Sequence, residues 1–401
     1  MNVSADVELR ERSLLIILAG VQFTHLMDFM VLMPLGPQFM RIWDITASEF
    51  AVLVSAYTLS GAIASVLCAL YIDRFDRKRA LILLYGGFVV STFLCAAAAD
   101  FGWLLAARTV SGAFGGVAGA AVYSIIGDVI PEPRRGTAMG IVMTAFPISA
   151  VAGVPLGLAL ANWFDWRAPF VFIGLISTLI LIGATWMLPR MNAHVGQAKS
   201  RKPLQQASAV FSNRNHLRAM TLSAVMIFGG FSVIPFTSPY MVANVGLSEA
   251  DLPWMYFFSG LATVYTARLW GRMSDRHGKF RMFTIISCVS IIPLLLVTNL
   301  PPAPVWVAVL VMMMFMIFVS GRFIPAMAIV TAAAQPPLRG SFLSFNAAIQ
   351  QFGSSAASLS AGLIIGRSAS GTLTGFWISG LIAVACTFVA IWLARRITTV
   401  S

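Results

Sequence analysis

The sequence predicts an all-α integral membrane protein, with twelve transmembrane helices in two pseudo-symmetric six-helix bundles. Three observations predict it: the composition, the recurrence of apolar segments and a repeat of about 200 residues. Of the 401 residues, 58% are hydrophobic and only 10% charged. Soluble domains carry roughly 25% charged residues. A long soluble chain of this make-up would expose apolar patches large enough to aggregate.

A helix needs about 20 apolar residues to cross a bilayer. Such segments occur at 13–37, 49–72, 80–99, 103–128, 137–161, 168–188, 217–243, 252–272, 281–299, 304–331, 340–364 and 373–394. The first is too long for a cleavable signal peptide, and no small-residue cleavage site follows it before the next span. The N-terminus is therefore expected to be retained. The net charge of +12 first suggests nucleic acid, but its distribution along the chain argues for a membrane. Basic residues gather in alternate loops, as Arg74, Arg77, Lys78 and Arg79 after span 2, Arg134 and Arg135 after span 4, and Arg272, Arg276, Lys279 and Arg281 after span 8. The opposite loops hold Arg41, Arg167 and Arg367. By the positive-inside rule both termini are expected in the cytoplasm, and the even number of spans agrees. Cys68, Cys95, Cys288 and Cys386 all fall in spans with no CxxC pair, so free thiols are expected.

One long polar break, from Pro189 to about His216, divides the spans six and six. It predicts a bundle over 1–188, a cytoplasmic linker over 189–216 and a second bundle over 217–401. The halves echo one another. "YIDRFDRKRA" follows span 2 and "MSDRHGKFRM" follows span 8, with Asp73 and Asp275 202 positions apart. "PRRG" and "PLRG" open spans 5 and 11, and "ASEF" and "LSEA" open spans 2 and 8. A duplicated six-span unit is the mark of transporter folds, with the substrate held between the repeats near mid-membrane.

At these residues the whole chain resembles the major facilitator superfamily. The family's signature after span 2 is G-x-L-x-D-R-x-G-R-R/K. The first copy, "ALYIDRFDRK", matches at Asp73, Arg74, Arg77 and Lys78, with Ala69 and Asp76 in place of the glycines. The second, "GRMSDRHGK", keeps Gly271, Asp275, Arg276, Gly278 and Lys279. The resemblance implies a cytoplasmic latch, with Asp73 facing the N-terminus of span 11, where unpaired amides favour an anion, and Arg74 and Arg77 adding charge pairs. In "AGVPLG" of span 5, Gly153, Pro155 and Gly157 depart from the G-P-x-x-G-G element of drug–proton antiporters and resemble the sugar-efflux and arabinose-efflux branch. There glycine thins the helix and proline bends it where halves must move.

Ionisable groups within a bilayer are expensive and usually face a cavity or a partner. Asp28, in "FTHLMDFMVLMP", is the only acidic residue deep in a span. Gln22, His25 and Asp28 recur at three-residue spacing, on one stripe of span 1. Asp28 can pair with His25 along the helix, or with an arginine merely to pack the bundle, or can carry a proton. Arg108, in "LLAARTVSGAFGG", resembles the family's span-4 arginine followed by glycine four residues later, here Gly112. In proton-coupled members that arginine is linked to proton transfer. Asp28, His25 and Arg108 are the expected proton-coupling residues. Gln22, Met27, Phe231, Arg322, Asn346 and Gln350 are the expected substrate contacts, since methionine and aromatic walls adapt to varied shapes. Asp73, Arg74, Arg77, Asp275, Arg276, Lys279, Gly153 and Pro155 are the expected gating residues.

The expected function is secondary active transport by alternating access: proton-coupled export of small apolar or amphiphilic molecules. The alternatives are a facilitator or importer of a defined metabolite such as a sugar, and a non-transporting membrane receptor. An enzyme is not expected. The chain has no P-loop, so no ATPase, and its 4 His form no metal-spaced cluster. The proton gradient is the expected energy source, with no metal or other cofactor. The expected partners are a small-molecule substrate, protons and the lipid of a bacterial inner membrane, with no nucleic acid, for a monomer.

Overall fold

The computed structural model describes residues 3–69, 76–188, 203–335 and 338–398. Asp73, Arg74 and residues 189–202 of the expected linker lie outside the described residues. The first half holds α1 (Val3–Val31), α2 (Gly36–Ile42), α3 (Ala47–Ala69), α4 (Arg77–Ala96), α5 (Phe101–Val129), α6 (Glu132–Met143), α7 (Ala145–Ile148), α8 (Val154–Trp163) and α9 (Ala168–Met187). The second holds α10 (Pro203–Phe211), α11 (Arg214–Phe231), α12 (Ile234–Tyr240), α13 (Leu252–His277), α14 (Lys279–Asn299), α15 (Val305–Gly321), α16 (Phe323–Ala333), α17 (Arg339–Ile364) and α18 (Phe376–Arg395). A two-stranded hairpin, β1 (Gly366–Arg367) and β2 (Leu373–Thr374), joins the last two helices.

All twelve expected spans are helical. Among the described residues ten are long and apolar enough to cross a membrane. The other two, α13 and α17, are 26 residues each. Their lower apolarity comes from Arg268 and Arg272 in α13 and from Asn346, Gln350, Gln351 and serines in α17. Outward apolar side chains such as Leu83, Leu179 and Trp186 would be wasted in water and suit lipid.

Several spans are broken rather than continuous. The segment expected as one span over 13–37 ends its first helix at Val31, because Pro34 and Pro37 cannot continue the amide ladder. Its counterpart breaks at Ser232–Val233, before Pro235. Span 5 passes through a π-helical turn, Ser149–Gly153, that falls on the "AGVPLG" motif directly before Pro155. Such turns recur at functional sites. Part of the expected linker is ordered as α10, whose Val210 is fully buried in the core formed by α11, α16, α17 and α18.

By packing, residues 1–31 group with 59–200, and residues 32–58 with 201–401. In the first unit small residues set the helix approaches. A Cβ on Gly116 would lie 2.8 Å from Gly61 Cα. The second unit is built on α11, α13, α14, α15, α17 and α18. Residues 32–58 dock on it: α2 packs on α12, Phe50 meets Phe236 edge-on at 5.9 Å, and Ser48 Oγ donates to the Gly362 carbonyl at 2.7 Å. Ser355 Oγ donates to the Ser55 carbonyl at 3.1 Å, and Arg41 binds Glu249 through two hydrogen bonds of 3.0 and 3.1 Å.

Candidate functional site

The polar stripe of α1 faces α5, and the two helices run with opposed registers. Gln22 Nε2 donates to Tyr123 Oη at 3.3 Å. One turn on, His25 lies over Gly119, where a Cβ would come within 3.2 Å of the imidazole. It also meets Phe88, edge-on at 6.2 Å. One turn further, Arg108 Nη1 donates to Asp28 Oδ2 at 2.6 Å, and Ser111 Oγ donates to the same oxygen at 3.3 Å. Both side chains of the ion pair are fully buried. The guanidinium also lies 6.0 Å from the centre of the Phe170 ring, from α9.

The geometry gives Asp28 its ion-pair partner. Its carboxylate takes Arg108 and Ser111, and His25 sits a turn away against aromatic and glycine surface. Asp28 and Arg108 are opposite charges deep in one bundle, so the need of each for a partner was a legible signal. Ser111 and Tyr123 were not expected; for Ser111, a hydroxyl one turn from the arginine on the same helix was the only sequence sign. The carboxylate's second oxygen, Oδ1, accepts no hydrogen bond from the described residues. An ion pair so enclosed is strongly held, and breaking it by removing one partner costs about 3–5 kcal/mol. A proton on Asp28 would neutralise the pair without removing an atom.

Met27 is fully buried and lies on the π-turn, with a Cβ at Gly153 falling 3.1 Å from Met27 Cγ. Ser149 Oγ ties the same turn to α1 by donating to the Phe23 carbonyl at 3.1 Å. Gly153 and Pro155 therefore sit directly behind the Asp28 helix. The other expected substrate contacts belong to the second unit. Asn346 is 2% exposed, with an Oδ1 that accepts no hydrogen bond from the described residues. Gln350 is half-buried beside Met327, and Phe231 is half-buried at the end of α11. Arg322 is 2% exposed and points into the helix packing of the second unit, toward Thr387 and Ser290.

The described part of the first motif copy lies at the start of α4. Asp76, which stands where the family has glycine, caps α4 by accepting from Arg79 N at 3.0 Å. Arg77 donates to Asp128 at 2.8 Å and so ties α4 to the end of α5. In the second copy Gly278 has φ +93°, which a side chain would resist. Asp275, Arg276 and Lys279 are exposed, and none makes an ion pair among the described residues.

Residues 18–239 and 220–400 both match the sequence profile of the Major Facilitator Superfamily. An uncharacterized MFS-type transporter of Bacillus subtilis, YbcL, is 25% identical over 77% of each chain. A probable sugar efflux transporter of Helicobacter acinonychis is 25% identical over 63% of each. In fold, the chain superimposes on a bacterial homolog of the human lysosomal transporter Spinster with a TM-score of 0.78 at 16% identity, covering 96% of this chain and 98% of that one. The D-xylose–proton symporter gives 0.76 at 16% identity, covering 95% and 96%. With the duplicated signature, the helical architecture and a profile match over nearly all its length, the chain belongs to the Major Facilitator Superfamily of membrane transporters.

Proposed function

We propose that this transporter exports small apolar or amphiphilic molecules in exchange for protons, by alternating access, with Asp28 as the proton carrier. The observation that carries this reading is the Asp28–Arg108 pair, two fully buried charges 2.6 Å apart, which a single proton can dissolve. The proton attaches to Asp28, the carboxyl becomes neutral and Arg108 is released from its hold. Loss of the proton restores the pair. A ligand moves a two-state protein only by binding one state better, and the paired and unpaired forms supply that difference. His25, a turn away on the same stripe, tunes the step. Gly153 and Pro155 let the helix behind Asp28 flex. Gln22, Met27, Phe231, Asn346 and Gln350 are assigned to cargo contact.

A sugar is the second reading of the cargo. Helicobacter relatives carry the name probable sugar efflux transporter, and Gln22, Asn346 and Gln350 supply amides of the kind that bind hydroxyls. A screen in proteoliposomes with an imposed pH gradient separates the two. Cargo flux should reverse with the gradient and stop when a protonophore collapses it. Flux indifferent to both treatments would remove proton coupling.

In the orientation we assign, both termini face the cytoplasm of a bacterial inner membrane. A cysteine placed at Asp44 or Asp251 should then react with an impermeant thiol reagent from outside, and one at Arg201 should not. Labelling of position 44 from the inside alone would reverse the topology.

A further inference from the structure

One face of α13 is left open along most of its length. The helix packs on α15 and buries Met255, Tyr256, Ser259 and Gly260 near its start. Beyond Gly260 only Ser274 is buried. The open face carries Phe258, Leu261, Tyr265, Arg268 and Arg272, at spacings of three and four residues that put them on one side of the helix. With Met313 of α15 they line an open groove of about 750 Å³. That is room for a whole ligand of ordinary size.

The groove changes character along the helix. Arg268 and Arg272 lie 16 and 20 residues beyond Leu252, where α13 begins. At 1.5 Å per residue they stand about 24 and 30 Å from that start. A hydrocarbon core is about 30 Å thick. Arg272 therefore reaches its rim, and Arg268 lies about one turn inside. Both are exposed, and neither makes an ion pair or hydrogen bond among the described residues. Asp275, three residues after Arg272, is exposed and pairs with neither. On the other side of Arg268 the wall is aromatic and apolar. Tyr265 is 80% exposed there, with a hydroxyl that bonds nothing among the described residues.

A cation at this depth needs a partner. Arginines four apart on one helix face have Cβ atoms about 5–6 Å from each other. Their guanidinium forks can close on one phosphate. From Phe258 to Arg268 the helix rises about 15 Å, half the hydrocarbon thickness and so the reach of an acyl chain in one leaflet. A soluble anion would leave that wall bare, and a zwitterionic lipid brings its own cation to the phosphate. A lipid with a net negative head fills both parts, as basic pockets between spans do elsewhere.

We infer that the groove between α13 and α15 binds one anionic phospholipid. Its phosphate lies between Arg268 and Arg272, with Tyr265 at the level of the esters and one acyl chain along Leu261 and Phe258. The leaflet is the one at which α13 ends. The inference rests on the orientation assigned above only for calling that leaflet cytoplasmic.

The test titrates the purified full-length protein in detergent with dioleoyl phosphatidylglycerol or dioleoyl phosphatidylcholine and counts bound lipid by native mass spectrometry. Phosphatidylglycerol should bind first and tighter. Arg268→Gln/Arg272→Gln should weaken it about 25-fold, a factor of about 5 for each arginine. Ala262→Trp fills the groove and keeps both arginines, and it should weaken phosphatidylglycerol as well. Arg281→Gln, an exposed arginine of α14 outside the groove, should change nothing. Equal binding of the two lipids would overturn the proposal. So would undiminished binding in Ala262→Trp, which would mean surface attraction without a groove and which decides the matter if the double variant fails to fold. Displacement of the lipid by millimolar glycerol phosphate would assign the arginines to a soluble phosphate instead. The measurement uses neither cargo nor a gradient, so its failure is separate from that of the export reading.

Discussion

Replacing Asp28 by Asn is expected to abolish gradient-driven transport. The amide keeps the size and the hydrogen bonds of the carboxyl but cannot gain or lose the proton. It also leaves Arg108 as an uncompensated charge in a site with no exposure, so the variant should lose about 3–5 kcal/mol of stability. The double variant Asp28→Asn/Arg108→Gln removes both charges. It should recover much of that stability and none of the coupled transport, which separates the two roles. Arg108→Ala should likewise be inactive. Asp28→Glu keeps a titratable group one methylene longer against Arg108 and Ser111, and should retain partial activity with a displaced pH optimum. Thermal unfolding and counterflow in proteoliposomes, measured on the same preparations, check each outcome. Full gradient-driven transport by Asp28→Asn would make the pair a packing feature.

Gly362→Leu is expected to force open the contact between residues 32–58 and α17. A Cβ at Gly362 would stand 3.0 Å from the Ala47 carbonyl and 3.2 Å from Ser48 Cα. These are backbone atoms of α3 and cannot swing aside. Overpacking of this kind costs roughly 1–3 kcal/mol, which moves a two-state balance by about 5- to 150-fold. In a background without the native cysteines, Ala51→Cys is fully buried and should be unreactive. Adding Gly362→Leu should make it react with an impermeant thiol reagent from outside, and cargo transport should fall. Gly340→Leu is the control on the same helix, because nothing lies within 4 Å of its Cβ position. Unchanged reactivity at position 51 would show that overpacking at Gly362 does not open this contact. Arg41 and Glu249, both partly exposed, should contribute far less, since surface ion pairs are worth about 0–1 kcal/mol.

The sequence by itself determined the class of molecule and the number of its spans. Apolar length and the scarcity of charge are local properties that a bilayer reads directly, and a duplicated motif is visible without any folding. It also singled out Asp28 and Arg108, because a charge in a lipid-spanning segment is anomalous wherever it later lands. Tertiary structure decided which partner each of these charges meets. Asp28 is 80 residues from Arg108 and three from His25, so local spacing favoured the nearer partner; the crossing of α1 and α5 brought the farther one to 2.6 Å. The breaks after Val31 and before Phe323 were hidden because proline marks a possible kink, and only packing sets its direction. That residues 32–58 pack with the second half was equally hidden. Glycine, alanine and serine at 47, 48, 51 and 362 look unremarkable in order, and acquire meaning only when the backbones that they thin are placed against each other.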